Sequence, residues 1–170
     1  MILGMSLSMF VTVHVIISLI GIVAGIIVMF GMLGSNRMPG LTAIFLLFTI
    51  LTSATGFLIP PLVSDKLLPS HIIGALSLVL LAVACFALYG QKLSGRWRLI
   101  YVLTALISLY LNVFVLVIQS FLKIPALTAV APGNPPSGPV FAVVQGIVLV
   151  FFVIVIIGAI RRYRPMPSFA

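Results

Sequence analysis

The sequence predicts an all-α integral membrane helical bundle with five transmembrane helices, and three observations lead there. Hydrophobic residues make up 63% of the chain and charged residues 6%, against about 25% charged residues in a soluble domain, so a water-facing surface cannot be covered. The apolar runs reach about 20 residues, the length that carries a helix across a bilayer. They lack the alternation, in segments of about 10 residues, that marks the strands of an outer-membrane barrel.

Five runs are predicted to span, over residues 9–33, 41–59, 71–90, 98–122 and 140–160, within one transmembrane domain covering residues 1–170. Nothing basic precedes the first run, and it is too long for the apolar core of a signal peptide. Span one is therefore expected to stay in the mature protein. At about 100° per residue, His14, Ser18, Gly21 and Gly25 fall on one face of it. The turn GSNRMPG follows, with glycine and proline marking the helix ends. Span two carries a similar stripe of Thr42, Thr49, Ser53 and Gly56.

The loop PPLVSDKLLPS holds Asp65, the only acidic residue of the chain. Its neighbour Lys66 is expected to form a surface ion pair of little energetic weight. Span three opens at His71, which is predicted to share a face with Ala75, Ala82 and Cys85. The turn GQKLSGR leads to span four, where Tyr101, Thr104, Ser108, Asn112 and Gln119 form a narrow polar stripe. The segment KIPALTAVAPGNPPSGP reads as a connector, and span five bears Gln145 near its start and RRYR at its end.

Laid over one another, His14 meets His71, Gly34 meets Gly90, Thr49 meets Thr104 and Ser53 meets Ser108, the offset drifting only from 57 to 55. This pattern suggests a duplicated two-helix hairpin plus one extra helix, with a pseudo-twofold axis along the membrane normal. A four-helix core with span five at its edge is the expected arrangement.

The net charge of +8 is explained by topology. Arg37, Lys92, Arg96, Arg98, Arg161, Arg162 and Arg164 all fall on one side, and only Lys66 and Lys123 on the other. The positive-inside rule then places the N-terminus in the periplasm and the C-terminus in the cytoplasm of a bacterial inner membrane. The expected partner is the lipid bilayer, with no nucleic acid.

Chemistry is sparse. One carboxylate excludes paired acid/base catalysis, and no zincin, P-loop or nucleophile-elbow motif is present. Cys85 is the single cysteine, so no intrachain disulfide forms. The residues that stand out are His14, His71, Asn112, Gln119 and Gln145, all assigned to the outer half of the spans. Small and hydroxylated residues elsewhere in the stripes are expected to serve helix packing and hydrogen bonding between helices. Buried amides need partners, and histidine is a regular haem ligand. A cavity opening outward and lined by these five residues is therefore a candidate cofactor site, for haem b or a quinone. Metal ligation is not indicated, because structural zinc needs four ligands and catalytic zinc three.

The segments LTSATGF, LLPSHIIG and YLNVFVLVIQSFLKIPAL, with Ala131 and Pro132 beyond them, resemble a family of small bacterial multi-spanning inner-membrane proteins. The resemblance covers nearly the whole chain and includes His71, Asn112 and Gln119. It implies a bacterial membrane protein and brings no activity with it. In that family an acidic residue often precedes the double proline of the last loop; Asn134 stands there in this chain. The reading is a small non-enzymatic accessory or structural subunit of another membrane complex. The alternative is a haem b- or quinone-binding redox protein using His14 and His71.

Overall fold

The computed structural model describes residues 2–59 and 69–165. The expected Asp65–Lys66 pair lies outside them. The described chain is all-helical: α1 (Leu7–Leu33), α2 (Pro39–Gly56), α3 (Pro69–Cys85), α4 (Trp97–Lys123), α5 (Pro125–Val130) and α6 (Pro139–Arg162). Five of these, with α3 extended to Gly90, are long and apolar enough to cross a membrane. The protein is a multi-pass helical membrane bundle.

Local chemistry sets the helix ends. The Ser6 hydroxyl caps α1 by accepting from the Met9 N–H at 3.2 Å, satisfying one of the orphan donors of the first turn. Proline opens α2, α5 and α6, where its missing N–H costs nothing. Arg161 and Arg162 occupy the last turn of α6, where cations complement the helix dipole.

Two differences from the sequence reading concern the connections. The end of span three is a π-helical turn, Phe86–Gly90, closed by the Leu93 N–H donating to Ala87 O at 3.0 Å. Such wide turns carry no reliable sequence signal and occur often at functional sites. The proline-rich connector begins with α5, which is pinned to the end of α4 by Thr128 Oγ1 donating to Phe121 O at 2.7 Å.

α1 pairs with α2 and α3 with α4; α2 also packs on α3, and α4 on α1. These contacts make a four-helix ring in which α1 and α3 are not neighbours, and α6 packs against α1 and α4. The core runs along the axis through Val28, Met29, Phe45, Leu46, Leu81, Leu106 and Leu109. Gly25 allows the closest approach: a Cβ there would lie 2.6 Å from Leu109 Cδ1 and 2.8 Å from the Phe45 ring.

Several hydroxyls on the buried helix faces act differently from expectation. Thr49 donates to Phe45 O at 2.7 Å, Thr52 to Phe48 O at 2.8 Å and Ser108 to Thr104 O at 2.8 Å. Each is satisfied one turn back on its own helix, a habitual pattern of Ser and Thr in helix interiors. What these side chains contribute to the interfaces is small volume.

The face predicted for span three is rotated. Ala75 and Ala82 are exposed and Cys85 is half-buried, whereas Ser77, Leu81 and Ala84 are buried. With Ala able to sit against lipid or protein alike, its spacing could not fix the face. The two hairpins also differ in length. His14 stands eight residues into α1 and His71 three residues into α3.

Candidate functional site

At the end of the bundle opposite the arginines, α1, α2, α3 and α4 leave a cavity of about 80 Å³ that opens to the surface. His14, His71 and Asn112 all line it, with Thr52, Ser53 and Ser77 beside them and Gly56, Phe57 and Gly74 among the apolar wall. Three of the five candidates thus meet at one place, although they come from segments far apart in the chain. Gln119 lies two helical turns beyond Asn112 on α4 and does not line the cavity. Gln145 is also elsewhere. It is 8% exposed, and its Nε2 donates to Phe114 O at 3.1 Å, joining α6 to α4.

The tautomer of His14 follows from its partner. Thr55 Oγ1 donates its single proton to Leu51 O at 2.7 Å. It therefore accepts from His14 Nδ1, which lies 2.7 Å away. The neutral ring carries its proton on Nδ1 and keeps Nε2 as an acceptor. The Phe57 ring stacks on His71, with centroids 5.6 Å apart and an interplanar angle of 24°. This holds the imidazole at the cavity wall.

Asn112 supplies the opposite function. Its Nδ2 is buried with no hydrogen-bond partner among the described residues. An unpaired buried donor costs about 1–3 kcal/mol. Gln145 Oε1 is the second such buried atom among the described residues, but it belongs to the α4–α6 contact.

Sequence reasoning missed Ser77, Gly74 and Phe57. Gly74 and Ser77 follow His71 at steps of three, the helical spacing that places residues on one face. That signal was outweighed by the alanines. Phe57 sits just past the end of α2, where no periodicity applies.

Haem does not fit this site. A cavity of about 150 Å³ accommodates one benzene ring, and a porphyrin is far larger than the roughly 80 Å³ available here. No group of three or more His, Cys, Asp or Glu side chains able to hold a metal ion occurs among the described residues. The space and the donor set suit instead the polar edge of a small head group, seated at the open mouth.

The fold and this site define a five-span helical membrane protein with a small polar cavity at one end. No family model, curated protein or solved structure matches the chain, so the resemblance to small inner-membrane proteins is carried by the quoted segments alone.

Proposed function

We propose that the chain is a small non-enzymatic protein of the bacterial inner membrane that binds the head group of a lipid-soluble, quinone-class molecule. The observation that carries this reading is the convergence of His14, His71 and Asn112 on one cavity, with the Asn112 amide donor buried and without a hydrogen-bond partner among the described residues. A carbonyl oxygen accepts from Asn112 Nδ2. A hydroxyl, as in the reduced quinol, donates to His14 Nε2. The ring itself rests at the mouth beside Phe57. Orientation follows from the seven cations gathered at the other end, which the positive-inside rule places in the cytoplasm. The histidine end then faces the periplasm.

Calorimetric titration of the protein in lipid nanodiscs with a short-chain ubiquinone tests the reading. Saturable binding that weakens about tenfold or more in Asn112→Leu is expected, the loss of one well-made buried hydrogen bond. Absence of saturable binding, or binding untouched by Asn112→Leu and His14→Phe, overturns it. A Soret band that disappears in His14→Ala and His71→Ala would restore haem. A reporter fused after Ala170 checks the orientation and should behave as cytoplasmic.

One observation favours an accessory-subunit reading as well. On α6, Val143, Ile147, Val150 and Ile154 are exposed at alternating steps of four and three, and Gly146 among them has open space around it. Small residues flanked by branched ones suit helix docking within a membrane. Solubilisation in a mild detergent should then recover a second membrane protein in fixed ratio, and repeated recovery of the chain alone counts against docking.

A further inference from the structure

The larger cavity lies at the arginine end, and none of the five candidate residues borders it. It has a volume of about 350 Å³, within the range of ligand pockets, about 300–1,000 Å³. Four spans and one turn contribute to it. Arg37 comes from the turn after α1, Thr42 from the start of α2, Tyr89 from the π turn, Tyr101 from the start of α4 and Tyr163 from the end of α6.

The polar side chains set in its largely apolar wall are held in place. Tyr101 is 1% exposed and Tyr163 4%. Tyr101 is hydrogen-bonded to the Thr42 side chain, and Tyr163 to Arg37. Burial raises the Tyr163 phenol above its ordinary range, with Arg37 opposing in part, so the hydroxyl stays a donor at neutral pH. The Arg98 guanidinium donates to Ile160 O and Tyr163 O. The Arg164 N–H donates to Ser35 Oγ at 2.9 Å. Together these bonds fasten the chain after α6 across the turn between α1 and α2.

The electrostatics at this end have one sign. Lys92, Arg96, Arg98, Arg161, Arg162 and Arg164 share it with Arg37, while the only acid in the sequence is Asp65, in the loop between spans two and three. No side chain caps α2, whose first turn, with Pro39 and Thr42, borders the cavity. Uncapped N–H groups and the helix dipole there favour an anion.

From these residues we propose that the Arg37–Tyr101–Tyr163 cavity is a binding site for a single phosphate-bearing head group. Arg37 pairs with the phosphate oxygens, a geometry arginine is suited to, and the tyrosine hydroxyls donate to the same oxygens or to the ester oxygen. The π turn sets Leu88 and Tyr89 along one wall, where a head group's acyl-bearing side would leave toward lipid. The same chemistry is offered by a phospholipid and by free phosphate.

Native mass spectrometry of the full-length protein with phosphatidic acid, phosphatidylcholine or inorganic phosphate added separately tests the site. One phosphatidic acid per chain is expected, with phosphatidylcholine bound more weakly because its choline meets a cationic rim. Binding should fall about tenfold in Arg37→Gln and in Tyr101→Phe, the loss of one charge-assisted or one buried hydrogen bond each. Arg37→Lys should restore part of it, and Arg161→Gln/Arg162→Gln should retain most of it. Inorganic phosphate that displaces the lipid identifies the phosphate alone as sufficient; phosphate that fails to do so identifies the lipid as the source. Equal losses in the Arg161/Arg162 variant and in Arg37→Gln would reveal diffuse charge and overturn the proposal. So would retention of full binding by both Arg37→Gln and Tyr101→Phe. Because Tyr101→Phe keeps the buried ring, its melting temperature separates lost binding from lost folding.

Discussion

The two ends of this bundle are built on opposite plans. At the histidine end a cavity of about 80 Å³ is lined by imidazoles, hydroxyls and an amide, all from within the spans. At the arginine end a cavity of about 350 Å³ is lined by side chains from helix starts, a helix end, a turn and the π turn. The first lies between packed helices and is small. The second lies where helix ends and turns meet, and bonds from the Arg98 guanidinium and the Arg164 N–H fasten the chain beside it. A membrane bundle thus makes narrow, uncharged sites along its length and wider, charged ones where its helices end.

The largest effect is expected where both ends share a support. Gly25→Val places branched methyls against Leu109 and Phe45 at the closest point of the core. Overpacking of this kind costs about 1–3 kcal/mol. Thermal unfolding in detergent should show a large fall in melting temperature, with ligand binding at both ends lost together. Loss at one end alone would mean that the two cavities are supported independently.

Arg98→Ala comes next and acts on the arginine end. It leaves Ile160 O and Tyr163 O without their donor, a loss of about 1–3 kcal/mol for partly buried acceptors. Faster proteolysis after α6 and a lower melting temperature are expected, with quinone binding unchanged. A matching loss of quinone binding would erase the distinction between the ends.

Thr55→Val is the counterpart at the histidine end. It removes the acceptor that orients His14, and hydrogen bonds of this type in membrane bundles average about 0.6 kcal/mol. The melting temperature should barely move. Quinol affinity should fall more than quinone affinity, because the freed ring can place its proton on Nε2. Equal falls for both would show that the tautomer has no role.

No loss of stability is expected of Asn112→Leu. Its Nδ2 has no partner among the described residues, so an apolar replacement should be neutral or stabilising by up to about 1 kcal/mol. A clear loss of stability would mean that the amide is satisfied within the protein, and that the histidine end is a packing feature.

Much of the fold was legible in the sequence because hydropathy is additive along a helix. The five spans appear within about three residues of their predicted limits, and Gly21 and Gly25 of the α1 stripe are buried. The face of α3 was not legible. Alanine is indifferent between lipid and protein, so Ala75 and Ala82 gave a false register, while Gly74 and Ser77 carried the true one. The convergence of His14, His71 and Asn112 was expected from depth alone. Gln119 and Gln145 share that general depth but lie away from the cavity, one further along α4 and the other on α6. Depth along the membrane normal does not specify which way a side chain points.

The sequence by itself determined the class of protein, the number of spans and the separation of charge between the ends. All three depend on composition within single segments, and solvent preference acts on each segment locally. Only the tertiary structure decided which polar residues meet. His14 joins His71 and Asn112 because α1 and α3 both pack on α2 and α4. Arg37 joins Tyr101 and Tyr163 because Arg98 and Ser35 fasten the chain after α6 over the first turn. Such meetings depend on helix rotation and on bonds between remote segments, which periodicity within one helix cannot encode.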